Sequence, residues 1–235
     1  MNMEGGRGGH AGPSLPLLTD DERLELERIG HTIHRPAGHA FFLEGEPGDF
    51  GLLIKKGHVK AVRGRPPRII DVRGPGEIVG EMAPIRSRPR MASIIAFDDV
   101  EALFLPAARW LDFLYAHPRA MHALWAMTAD VADRASQKSV ESELAVEQQL
   151  ARRVVELVEY GLGVRASAGD GEEATFLRVS QQDLAALVGT KKLESVKKVI
   201  ARLRAAGIVD TGRNLITIRR LGDLRRIAEG DLTVS

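Results

Sequence analysis

Residues 180–218 read SQQDLAALVGTKKLESVKKVIARLRAAGIVDTGRNLITI, and the order of their pieces decides the C-terminal fold. Ser180 with Asp183 three residues on has the form of a helix N-cap with a capping-box acid. A helix follows over 181–188 and Gly189 breaks it. A second helix runs over 193–206 and stops at Gly207. Ile208-Val209, a turn at Thr211-Gly212-Arg213-Asn214, and 215–218 then make a β-hairpin. Two helices joined through a glycine turn and followed by a hairpin is the winged helix-turn-helix order.

The second helix divides into two faces. Val196, Val199, Ile200 and Leu203 fall at i, i+3, i+4 and i+7 and form the inward stripe. The opposite face carries Glu194, Ser195, Lys197, Lys198 and Arg202, with Lys191 and Lys192 just ahead. Lys and Arg donate to guanine edges or phosphates, and Glu accepts from the cytosine amino group. A recognition helix enters the major groove by its N-terminal half. Glu194, Ser195, Lys197 and Lys198 are therefore the candidate base-facing residues. Lys191, Lys192 and Arg213 are candidate phosphate contacts, which position without specifying. Ser180, Gln181 and Arg202 complete the candidate DNA-binding set. Residues 180–226 hold eleven Lys/Arg against four Asp/Glu, although the whole chain has a formal net charge of only +1. That asymmetry fits a polyanion partner at this end.

Upstream, residues 31–105 have a different texture. Short apolar runs such as Phe41-Phe42-Leu43, Leu52-Leu53-Ile54 and Ile69-Ile70 are broken by Gly or Pro at close intervals. Many short strands at this spacing read as an all-β sandwich or barrel. A short helix is expected before it, from a cap at Thr19 to Gly30, and the Gly-rich 1–16 segment reads as a disordered tail. After Pro106 the pattern becomes helical. A helix over 107–116 precedes a longer one from Pro118, in which Met121, Leu124, Thr128, Val131 and Ala135 keep a 3–4 spacing suited to a helix–helix seam. A further helix covers 144–160, residues 161–174 read as a loop, and 176–179 as a strand.

Within the β region, residues 76–93 (GEIVGEMAPIRSRPRMAS) interrupt the strands with a short helical turn that carries three arginines. Amides at a helical turn and a bidentate Arg suit an anion. Glu81 would be repelled by a bare phosphate but can accept a sugar hydroxyl, so a ligand offering both groups fits the pair.

Composition narrows the classes further. With no cysteine, disulfides, thiolate zinc sites and cysteine nucleophiles are excluded. No apolar run reaches the roughly 18 residues of a membrane span and no secretory h-region is present, so a cytoplasmic protein is expected. His31, His34 and His39 lack a paired carboxylate, and His31 and His34 fall on opposite faces of a strand, so no metal site is expected. Neither a nucleophile elbow nor a Gly-rich nucleotide loop occurs, so no enzyme is expected.

At this point the chain, from about Leu17 to Gly230, resembles the CRP/FNR family of bacterial transcription regulators. Pro36-Ala37-Gly38, the 44–49 segment EGEPGD and Gly57-His58-Val59-Lys60 resemble the glycine framework of the cyclic-nucleotide-binding β-roll. Gly80-Glu81-Met82-Ala83 with Pro89-Arg90-Met91-Ala92 resembles its phosphate-binding cassette. The resemblance implies that Glu81 takes the ribose 2′-hydroxyl and Arg90 the cyclic phosphate, with Gly80 and the amides of Met82, Met91 and Ala92 completing the cradle. It also implies base contacts from the long helix, in the stretch that holds Ser136, Gln137 and Ser139. In the winged helix the turn is one residue longer than the family's usual spacing, and Lys198 stands four after Glu194 where the family has Arg.

The fold expected is α+β: an N-terminal cupin-like β-roll, a long dimerisation helix and a C-terminal winged helix-turn-helix. The expected division is a tail over 1–16, the roll over 17–117, the connecting helix over 118–143 and the DNA-binding domain over 144–235. The function expected is a homodimeric regulator of palindromic double-stranded DNA, controlled by cyclic AMP or cyclic GMP as effector. Arg86 and Arg88 keep a second reading, a cyclic dinucleotide effector. A regulator that binds DNA constitutively and a responsive module that binds no DNA are the other readings.

Overall fold

The computed structural model describes residues 18–141, 144–168, 171, 173–189 and 193–234. The expectation for 1–16 lies outside them, as do Lys191 and Lys192. The chain opens with α1 (Asp20–Ile29), started by a complete capping box between Thr19 and Glu22. Eight antiparallel strands follow: β1 (His31–Arg35), β2 (Ala40–Phe42), β3 (Phe50–Lys56), β4 (Val59–Arg63), β5 (Arg68–Arg73), β6 (Ile78–Val79), β7 (Ser93–Ala96) and β8 (Val100–Pro106). They form two four-stranded sheets, in the orders β1-β8-β3-β6 and β2-β7-β4-β5. Alternating residues of both, including Leu52, Ile54, Val59, Val79, Ile94 and Ala102, are buried in a common core. One short helix, α2 (Met82–Arg86), interrupts the roll between β6 and β7.

Two helices close the roll. In α3 (Ala107–Ala116), Trp110, Phe113 and Leu114 are buried, and in α4 (Pro118–Glu141) so are Ala120, Ala123, Leu124 and Met127. These side chains share a cluster with Leu26, Leu103 and Leu105, which fixes the first half of α4 against the roll. Among the described residues no helix is long and apolar enough to cross a membrane.

The remainder begins with α5 (Val146–Glu159), then β9 (Gly163–Ser167), β10 (Glu173–Leu177), α6 (Gln181–Val188), α7 (Leu193–Ala205), β11 (Val209–Gly212), β12 (Leu215–Ile218) and α8 (Leu221–Glu229). Ser180 caps α6 by accepting from the Asp183 N–H, and Gly189 ends it in the left-handed region at φ +72°. The expected inward stripe of α7 is buried, with Val196, Val199, Ile200 and Leu203 at most 4% exposed.

One expectation fails. The 161–174 segment is no loop: it supplies β9 and the start of β10, and the strand expected over 176–179 is shifted to Glu173–Leu177. The sheet therefore has four strands, in the order β11-β12-β10-β9. β9 is an edge strand with no buried residue, so no apolar alternation marks it; its pairing with β10 defines it instead.

Candidate functional site: an anion cassette facing the long helix

The cassette lies on a cavity of about 330 Å³ between α2, β5 and α4. Gly80, Glu81, Met82, Ala83, Arg90, Met91 and Ala92 line one side, and Leu124, Met127, Thr128, Val131, Ala132 and Ala135 line the other. Arg90 is 3% exposed. Its Nη1 donates to the Gly80 carbonyl at 2.6 Å and to the Phe50 carbonyl at 2.8 Å. Its guanidinium carbon lies 4.0 Å from the Phe42 ring centre and 4.4 Å from that of Phe50. The guanidinium thus sits in the corner that the two rings form, with one nitrogen anchored.

Its other edge is different. Nε and Nη2 are buried and make no hydrogen bond among the described residues. These two N–H groups form the side-on fork that matches two oxygens of a phosphate or carboxylate. Burial pulls the guanidinium down from its ordinary value, against Asp49, Glu81 and Glu46, which push it up. A bound anion would relieve that burial cost.

Backbone geometry holds the fork in place. Arg90 N–H donates to the Glu46 carbonyl, and Gly45 N–H to the Arg90 carbonyl, both at 2.9 Å. Gly80 has φ +79°, and a Cβ there would fall 2.7 Å from Arg90 Nη1. At Gly48 a Cβ would meet the Ala83 side chain at 2.2 Å. Only glycine satisfies both positions. Glu81, half-buried at the start of α2, faces Arg73 and Arg90. Burial pushes its carboxyl up, and its own backbone N–H with both arginines pulls against that.

The long-helix residues of the cassette hypothesis fall differently. Ala135 lines the cavity, whereas the next residue, Ser136, is exposed and Gln137 lines a separate cavity towards α5. The 3–4 stripe read as a helix–helix seam turns out to face the cassette from Leu124 through Thr128 and Val131 to Ala135. Its period was visible, but the surface opposite it was not. Sequence reading also missed Phe42 and Phe50, which looked like ordinary strand apolars.

On the winged helix, Glu194, Lys197 and Lys198 are exposed on α7 and Ser195 is half-buried. Lys197 Nζ sits 2.8 Å from Glu194 Oε1. Arg213 is exposed at the tip of the β11–β12 hairpin, and Gln181 is exposed at the start of α6. Arg202 is exposed too, but pairs with Glu147 at 3.1 Å and donates to the Val234 carbonyl.

An anion-ready cassette in a β-roll, a long helix and a winged helix-turn-helix define a ligand-sensing DNA-binding regulator. Comparison with known proteins agrees. Residues 32–117 match the family model described as a cyclic nucleotide-binding domain, and residues 148–227 the Crp-like helix-turn-helix domain. The chain is 29% identical over 221 residues to the cyclic AMP receptor protein of Thermus thermophilus, covering 91% of this chain and 95% of the relative. A CRP-like cAMP-activated global transcriptional regulator of Mycobacterium tuberculosis is 26% identical over 174 residues, or 71% of this chain and 74% of that one. The structure of a c-di-GMP-responsive global regulator from Xanthomonas campestris aligns with a TM-score of 0.72 at 22% identity, over 85% of this chain and 99% of that one. The chain belongs to the CRP/FNR family of transcription regulators.

Proposed function

We propose that this protein is a homodimeric, cyclic-nucleotide-controlled regulator of palindromic DNA, with cyclic AMP the effector tested first. The carrying observation is the buried, unpartnered Nε/Nη2 edge of Arg90. Arg90 receives the cyclic phosphate, Glu81 accepts the ribose 2′-hydroxyl, and the amides of Met82, Met91 and Ala92 close around the sugar-phosphate. The base then lies against the apolar α4 wall. Effector identity draws support from the two relatives, one a cyclic AMP receptor protein and one a cAMP-activated regulator. Size agrees: small-molecule pockets run from roughly 300 to 1,000 Å³, and 330 Å³ suits one mononucleotide better than a cyclic dinucleotide.

Dimerisation uses α4, whose outer face exposes Trp125 at 76% and Met121 at 39%. Ser136, exposed on the same helix, faces the second copy rather than its own cassette. Each subunit presents α7 to the major groove through Glu194, Ser195, Lys197 and Lys198, while Ser180, Gln181 and Arg213 meet phosphates. The two half-sites are spaced by about 34 Å. Effector binding favours the DNA-competent arrangement only by binding it more tightly.

The test is thermal unfolding with cyclic AMP, cyclic GMP and cyclic di-GMP in turn. A ligand of the native state at a hundredfold excess over its Kd stabilises by about 2.7 kcal/mol. A midpoint rise with cyclic AMP alone names the effector, a rise only with the dinucleotide transfers the role, and no rise removes the sensing assignment.

A further inference from the structure

The basic C-terminal end has a basic neighbour in the sensor. Residues 60–68 (KAVRGRPPR) hold Lys60, Arg63, Arg65 and Arg68 and no acid. They span most of β4, the turn after it and the first residue of β5, with Arg63 opposite Arg68 across the hairpin. Arg63, Arg65 and Arg68 are all exposed. Arg63 reaches Glu44 only at 3.8 Å, and no ion pair among the described residues holds Arg65 or Arg68. Pro66 and Pro67 fix two φ angles, which makes the turn a stiff mount for these side chains.

The hairpin lies along α6. Ile69 and Val72 of β5 share one buried cluster with Leu184 and Ala185 of α6. Near the start of that helix, Lys60 Nζ is 2.5 Å from Asp183 Oδ1, and the same ammonium lies 5.2 Å from the Phe97 ring centre. At the other end, the Arg68 guanidinium lies against Gly189, where a Cβ would fall 2.5 Å from Nη2. From Lys60 to its turn the hairpin thus follows the direction of α6. The turn sits beside the helix end, where the chain enters the α6–α7 connection that carries Lys191 and Lys192 in sequence.

In helix-turn-helix docking the first helix crosses the phosphate backbone and the second enters the major groove by its N-terminal half. The connection between them therefore sits at the edge of the groove, beside the phosphates. We propose that the β4–β5 turn of the sensor is a second DNA contact, in which Arg65 and Arg68 reach phosphates flanking the half-site that α7 reads. The inference rests on the DNA-binding reading above. Two features carry it: the continuity of the turn with the α6–α7 connection, and cations that the fold leaves unpaired. Such contacts position the protein without specifying sequence. Each one displaces counterions, so it adds both to affinity and to the dependence of affinity on salt.

The experiment uses the full chain, which contains no cysteine, so one introduced thiol carries a tethered iron chelate at a single place. Arg65→Cys, Arg213→Cys and Arg109→Cys, all at exposed positions, are conjugated and bound to a mixed-sequence duplex at low salt. Backbone cleavage is expected from position 65 as from the hairpin tip at 213, and none from 109 on α3. On the same duplex, Arg65→Ala should flatten the slope of log affinity against log salt by about one, and Arg65→Lys should restore it. Arg68→Ala should flatten it similarly, but Arg68 also packs on Gly189, so Arg65 decides the outcome. Cleavage from 213 without cleavage from 65, or an unchanged slope in Arg65→Ala, overturns this contact and leaves the DNA-binding reading standing. No duplex binding by the parent protein at any salt removes that reading, and the contact with it.

Discussion

The Arg90 guanidinium carbon lies 4.0 Å from the centre of the Phe42 ring, which makes an aromatic side chain of β2 the floor of the anion cassette. With Phe50 beside Phe42 and two carbonyls on Nη1, the guanidinium presents its Nε/Nη2 edge. Lysine keeps the charge but has no fork. Arg90→Lys should weaken cyclic AMP binding by at least about tenfold, since charge-assisted hydrogen bonds contribute roughly 1.5–3 kcal/mol each. Calorimetric titration of both proteins measures this, and equal affinity would rule out the edge as the phosphate site.

Glu81 gives a pH dependence with a definite sign. Burial raises its carboxyl above the ordinary carboxylate value. A ribose hydroxyl donating to it favours the ionised form, so ligand binding lowers that raised value and releases a proton. Affinity for cyclic AMP should therefore fall as pH drops through that raised value, and level off above it. Titrations in two buffers of different ionisation enthalpy count the released proton. Glu81→Gln should flatten the profile; a profile that is already flat in the parent protein contradicts the hydroxyl assignment.

The exposed face of α7 and the hairpin tip make separable contributions. Arg213→Ala should weaken DNA binding about equally for all sequences and reduce the slope of log affinity against log salt by about one. Lys198→Ala should cost about 1–3 kcal/mol and relax preference at one base pair. Binding to a selected operator and to a scrambled duplex over a salt series separates the two outcomes.

Trp125 is 76% exposed on α4. In the dimer proposed above that indole is covered, so Trp125→Glu places a charge in the contact. Sedimentation should show the variant dissociating at concentrations where the parent protein remains dimeric. If it stays dimeric, the interface lies elsewhere than on this face of α4.

Much of this site was legible in the residues. The α6–turn–α7–hairpin order followed from Ser180, Gly189, Gly207 and the stripe on α7, because caps and 3.6-residue periodicity act locally. Glu81 and Arg90 were both chosen from charge logic and resemblance, and they line one cavity. β9 was missed because an exposed edge strand has no alternation to read. Arg202 was placed with the DNA-facing residues because helical phase exposes it, yet Glu147 on α5 holds it. Its partner is some fifty residues away, and no periodicity encodes such a contact.

The sequence by itself determined most of the two domains' local elements, the cassette's residue types and the basic C-terminal end, since propensity, capping and period are properties of neighbouring residues. Tertiary structure alone decided that Arg90's fork is buried, with its guanidinium against Phe42 and Phe50, and that the α4 stripe faces the cassette. It alone brought Lys60 to Asp183 across 123 positions. Such contacts arise from how sheets and helices pack, and packing is set by the shapes and volumes of faces brought together from distant parts of the chain.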